Sequence, residues 1–302
     1  MDKQELITLV NKDLTDEHAA IIRYLVHGYL EGEDTPIGAG LLSRAREEMW
    51  HMHWLGMIIG KLGGEPNLTP APYPFDPTNR ATIFKSYVEY EEKLIPHYHG
   101  EADKVDDPHI KRVLHREAWE SAIHAKKFQR VHDKLKPDLA AGKPGEENEL
   151  PAAFVEKIQE MIAAKYTEML QNIRTAWVFQ KEEMLGWEIM DFAFTKMKQL
   201  AHIAEPVAEN GINPKFRATK IDLSTSIGLA LKKALEDVRS SRERHLDLQK
   251  DTEIQKHAGL LINLDLSVQQ EEYEAAEIED RYWVRIGEQW ARSTGSKRGS
   301  GD

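Results

Sequence analysis

The chain contains no cysteine. Disulfides, thiolate nucleophiles, zinc–thiolate sites and iron–sulfur clusters are thereby excluded together, and any bound metal must be held by histidine and carboxylate. Long apolar runs are also missing: none approaches 18 residues, and the start MDKQEL, followed by Asn11, Lys12 and Asp13, has no basic segment leading into an apolar one. The expectation is a cytoplasmic protein with neither a membrane span nor a secretory signal. Basic residues are in deficit, 40 Lys and Arg against 51 Asp and Glu, for a net charge of -11. That balance argues against general nucleic-acid binding and is compatible with cation traffic. No segment has the alternation of a strand.

What is present is helical periodicity. Apolar residues recur at three- and four-residue steps over roughly 3–32, 37–62, 81–104, 108–136, 151–180, 185–210, 225–250 and 258–291. The 302 residues are enough for two cores. Between the second and third periodic segments lies GGEPNLTPAPYPFDPTNRAT, whose five prolines after Glu65 make it a long irregular connection. The same order then returns: two helices, NGINPKFRATKIDLST, two more helices. Glu17 to Arg23 resembles Glu168 to Arg174, and His51 to Pro66 spans the same 15 steps as Gln199 to Pro214. The expected architecture is all-α, two tandem four-helix bundles, each with a long crossover between its second and third helices. Their limits are 1–138 and 151–292, joined by the linker Ala140 to Pro151 and followed by a flexible tail, 293–302.

Acids interrupt the apolar stripes. The first helix reads Val10, Leu14, Glu17, Ile21, Tyr24; the second Leu41, Ala45, Glu48, Met52, Leu55, with His51 beside Glu48. The third reads Phe84, Val88, Glu91, Ile95, Tyr98, which selects Glu91 over Glu92 as the inward acid. The fourth reads Leu114, Glu117, Ser121, His124, Phe128, with Glu120 one turn before His124. A single acid on such a stripe usually reaches solvent or an arginine. Four at one depth, in a core where each unpaired carboxylate costs several kcal/mol, require a cation. Carboxylates with two imidazoles and no sulfur suit iron or manganese, and one Glu from each of two helices plus a Glu/His pair from the other two is the di-metal carboxylate arrangement. His53, about 200° around the helix from His51, is read as a flanking residue. His18, His97, His99, His109, His115 and His132 also fall off the acidic face and are given no role.

These residues resemble the ferritin-like di-iron superfamily, most closely its bacterioferritin-like branch. The likeness is carried by NKDLTDEHAAIIRYLVHGYL and EEMWHMHWLGMIIGKLGGEPNL; it is good over 4–136 and weaker over 151–291. It implies two iron ions, or manganese, in the first domain, with Glu17 a terminal carboxylate, Glu48 the bridging acid of a Glu-x-x-His motif, and His51 its imidazole. It further implies Glu91 and His124 as ligands from the third and fourth helices, and Tyr24 as the tyrosine beside the metals. Where the family's fourth helix carries Glu, this chain has Ser121, so Glu120 or Glu117 would take over that ligand's place. Met49 occupies the position at which bacterioferritins ligate haem, and Met197 its counterpart; a methionine on a helix flank also simply packs. In the second domain the motif becomes Lys196-Met197-Lys198-Gln199. No di-metal centre is expected there, and Lys196 would supply a tethered cation where the metal charge would be.

The function these readings imply is oxidation of Fe²⁺ by O₂ or peroxide. Two other readings use the same residues: a di-iron or di-manganese peroxidase, catalase or substrate oxidase, and a non-enzymatic helical interaction protein with a relict site. A homo-oligomer or an intrachain pseudo-dimer is expected.

Overall fold

A computed structural model of the chain describes residues 1–144, 150–182 and 185–295. The described residues form helices and connections without a strand. In order these are α1 (Lys3–Glu31), α2 (Pro36–Lys61), α3 (Arg80–Ala102), α4 (Pro108–Lys134), the short α5 (Pro137–Ala141), α6 (Ala152–Val178), α7 (Leu185–Glu209), α8 (Ile227–Leu248) and α9 (Ala258–Gly295). Their ends lie within a few residues of those read from periodicity. Contacts divide the chain into two compact units, Met1–Leu150 with Ala204–Pro214, and Pro151–Ile203 with Lys215–Asp302. No helix among the described residues is long and apolar enough to cross a membrane.

The helix starts are written into the sequence. Asp2 caps α1 in a reciprocal capping box with Glu5, Thr35 caps α2 ahead of Pro36, Asn79 caps α3 with Thr82, and Asp107 caps α4 ahead of Pro108. Each cap satisfies backbone N–H groups that the first turn leaves without partners. The turn from α1 into α2 needs glycine twice. Gly32 has φ +84°, and a Cβ on Gly38 would lie 1.9 Å from the Gly32 carbonyl oxygen, so the second helix can start against the end of the first only without a side chain there.

The proline-rich stretch between α2 and α3 lies along α1 and is held by it. Asn11 accepts from the Asn67 N–H at 2.6 Å and donates to the Glu65 carbonyl at 3.1 Å, while the Thr15 carbonyl accepts from the Ala71 N–H at 2.9 Å. His18 is buried and hydrogen-bonds the backbone of Leu68. The connection between α7 and α8 is held by α6 in the same manner, with Gln159, Thr167 and Gln171 accepting from the backbone of Lys215, Thr219 and Asp222.

α9 continues through Gly295, three residues into the stretch expected as a tail; residues 296–302 lie outside the described ones. Ser and Thr weaken a helix without interrupting its ladder of hydrogen bonds, so composition alone places such an end poorly. Of the expected linker, Ala140 and Ala141 close α5, and residues 145–149 lie outside the described part of the chain.

Candidate metal centre

The stripes place Glu17 on α1, Glu48 and His51 on α2, Glu91 on α3 and His124 on α4 in one buried cluster, each at most 2% exposed. Glu48 is its centre. One of its carboxylate oxygens, Oε2, lies 2.8 Å from His51 Nδ1, and the other, Oε1, lies 2.7 Å from His124 Nδ1. Glu17 Oε2 approaches the same nitrogen of His51 at 3.3 Å, and Glu91 Oε1 that of His124 at 3.5 Å. Two groups of ligating atoms result, Glu17–Glu48–His51 and Glu48–Glu91–His124, each close enough to surround one ion and sharing Glu48. The imidazole rings stack with centroids 6.2 Å apart. Buried Glu and His clusters of this kind could hold metal ions, and the donor chemistry fits: hard oxygens, imidazole nitrogens and no sulfur. Glu91 Oε2 has no hydrogen-bond partner, as expected of an oxygen kept for a cation.

Without metal, protons hold the cluster together. Burial opposes a charge on His51, but the carboxylates of Glu17 and Glu48 outweigh it and raise its pKa well above the ordinary value. Burial acts likewise on His124, and Glu48 with Glu47 and Glu91 pushes it up to about 12. Glu48, although buried, is held well below the usual carboxylate range by the two imidazoliums. Glu17 is pushed up to about 7 by burial and by the charge of Glu48, and Glu91 is raised by the same two causes. His51 Nδ1 thus faces Glu17 and Glu48, and His124 Nδ1 faces Glu48 and Glu91 without a well-aligned hydrogen bond to either.

A tyrosine fixes each outer carboxylate. Tyr24 donates to Glu91 Oε1 at 2.6 Å and contacts the Tyr73 hydroxyl at 3.0 Å. Tyr98 donates to Glu17 Oε1. Periodicity reads Tyr98 as an ordinary core residue; its hydroxyl role depends on how α3 is placed against α1.

Glu120 does not join either group. It sits on the far side of His51, accepting from Nε2 at 2.6 Å and from Arg116 at 2.7 Å, and these partners lower its pKa to about 2. Glu47 does the same for His124: its Oε2 lies 2.6 Å from Nε2. The outer nitrogens of both imidazoles are therefore oriented by carboxylates from the opposite helix of the α2/α4 pair, the arrangement that sets the tautomer of a metal-ligating histidine. Glu117 is wholly buried, and neither of its carboxylate oxygens has a partner. Ser121 is buried as well. Met49 is half-buried on α2.

Above Glu47 and Glu120 a cleft of about 480 Å³ opens between α2 and α4, lined by Trp50, Trp54, Trp119 and Arg116 among others. The Arg116 guanidinium lies over the Trp54 ring, 4.5 Å from its centroid.

The second unit buries a different cluster. Lys196 Nζ lies 2.7 Å from Glu274 Oε2, 3.7 Å from Glu168 Oε2 and 3.8 Å from Glu271 Oε1. Lys165 Nζ pairs with Glu168 at 3.1 Å, donates to Ser241 at 2.8 Å and pairs closely with Glu271, whose other oxygen meets His245 Nδ1 at 3.0 Å. Two ammonium groups stand among three acids. Of these, Lys196 and Glu168 are visible on alignment with the first half; Lys165, Glu271 and Glu274 are not, since single charged residues on a stripe carry no distinctive spacing.

No protein-family model matches the chain, and no curated protein matches it either.

Proposed function

We propose that the chain is a ferritin-like di-metal carboxylate protein whose first unit oxidises Fe²⁺ with O₂ or peroxide. In this reading α1–α4 and α6–α9 are tandem four-helix bundles, with residues 62–79 and 210–226 as their long crossovers, and Fe²⁺ is the substrate. The observation that carries the proposal is the division of the two Glu48 oxygens between His51 and His124. A carboxylate so placed can serve two cations at once, with Glu17 and Glu91 completing one site each.

Two ferrous ions give up one electron each, so that O₂ with two protons becomes hydrogen peroxide, or peroxide with two protons becomes water, and the iron leaves as Fe³⁺. The chain's own groups prepare for this. Carboxylate charge favours the ferric over the ferrous ion, while the imidazoles lose their Nδ1 protons as cations bind. Tyr24 and Tyr98 hold the outer carboxylates in place, and Glu47 and Glu120 hold the rings. The tryptophan-lined cleft offers an approach to the ring edges for a small oxidant. Anaerobic loading with Fe²⁺ followed by stopped-flow mixing with O₂ tests the proposal; oxidation no faster than in buffer would overturn it.

Ser121 supports a second reading. With Ser121 where the resemblance implies a second acid, metals held by Glu17, Glu48, His51, Glu91 and His124 would leave room for a substrate molecule, which suits peroxide disproportionation or substrate oxidation by iron or manganese. Faster turnover of peroxide by the manganese-loaded protein than of Fe²⁺ by the apoprotein would favour it.

A further inference from the structure

A third group of ligating side chains lies outside the centre just described. Asp13 on α1 and His97 and Glu101 on α3 bring one ligand atom each to within 4.8 Å of one another. His97 Nε2 is 2.8 Å from Asp13 Oδ1 and 3.3 Å from Glu101 Oε1, so one nitrogen faces two acids. Asp13 is wholly buried, and its carboxyl hydrogen-bonds that of Glu101, so that the two acids share one proton beside His97. A cation bound among these three ligands would take the place of that proton. Lys12, more than half exposed, lies 3.4 Å from His97 Nε2 and pairs with Asp16 at 3.5 Å.

The position matters as much as the ligands. Asp13 precedes Glu17 by four residues, about one turn of α1, and His97 adjoins Tyr98, which donates to Glu17. Glu117, with both oxygens unpartnered, lies within electrostatic reach of Asp13, Glu17 and Glu48 together. His97 keeps about a quarter of its side chain in solvent, so an ion held here would retain water and exchange readily.

We infer that Asp13, His97 and Glu101 form a third, mononuclear site for a divalent first-row cation such as Mn²⁺ or Fe²⁺, from which ions pass Glu117 to reach the buried pair. The site stands on its own ligands; only the direction of traffic rests on the function proposed above.

Equilibrium dialysis of the full chain against Mn²⁺, with anomalous scattering from crystals soaked in Mn²⁺ alone, tests it. The expected count is three ions per chain, one at each ligand group, with one lost in His97→Ala and in the more conservative Asp13→Asn, each checked for an unchanged circular dichroism spectrum. Glu48→Gln should lose the pair and keep the ion at Asp13, seen as an uncoupled six-line electron paramagnetic resonance signal. Scattering only at the two positions around Glu48 would overturn the inference and leave the proposed function intact. Scattering only at Asp13 would do the reverse. Glu117→Gln should load the pair roughly tenfold more slowly with the count unchanged; an unaltered loading rate would overturn the passage by Glu117.

Discussion

The Tyr24 hydroxyl donates to Glu91 Oε1 across the α1/α3 interface at 2.6 Å, and this bond holds one outer carboxylate of the centre in the position from which it faces His124. Replacing Tyr24 by Phe removes the donor and leaves the buried Glu91 Oε1 with only the more distant His124 Nδ1, at 3.5 Å. The expected outcome is a loss of about 1–3 kcal/mol in the apoprotein, read from urea denaturation, and a 10- to 100-fold weaker hold on the cation bound by Glu91, read by competition with a chelator.

Glu48 carries the pairing of the two groups. In Glu48→Gln an amide cannot balance two imidazoliums, so both the pair of cations and the apo arrangement lose their shared anion. Dialysis should show the two ions at this centre lost together rather than one at a time; loss of a single ion would mean that Glu48 serves only one of them.

Cation binding must displace protons. His124 titrates near 12 and His51 well above its ordinary value, so both rings are protonated at neutral pH and must become neutral to ligate. Filling the pair of sites should release at least two protons, more below pH 7 where Glu17 also carries one, and tighten with rising pH by at least two decades per unit. A pH indicator in weak buffer measures the first, and titrations at pH 6 and 7 the second.

In the second unit the ammonium of Lys196 on α7 neutralises Glu274 and Glu168 in the core. Lys196→Met should cost about 3–5 kcal/mol because it leaves buried acids uncompensated, and adding Glu274→Gln should recover part of that loss instead of adding to it. Urea midpoints of the single and double variants decide this.

Acid should loosen the same cluster. Burial opposes the charge of Glu271, but His245 and Lys165 outweigh it and bring its pKa down to about 2. The unfolded carboxyl takes a proton near 4.5 and the folded one only near 2, so the stability it contributes is fully present above 4.5 and is lost as pH falls from there towards 2. Denaturation of Glu271→Gln should show a flatter acid limb than the parent.

The one-dimensional pattern determined a great deal here: the all-helical class, the helix ends to within a few residues, and the inward acids Glu17, Glu48 and Glu91 with His51 and His124. These are readable because a helix repeats every 3.6 residues, so a charged side chain on an apolar stripe declares its direction without reference to any other element. Tertiary structure decided the rest. Glu47 and Glu120 reach the outer edges of His124 and His51, Tyr98 reaches Glu17, and Asp13 meets His97 and Glu101, because each contact joins two helices whose rotation and rise relative to each other leave no mark in either sequence alone. Local spacing gives the face a residue occupies; only packing gives the atom waiting on the other side.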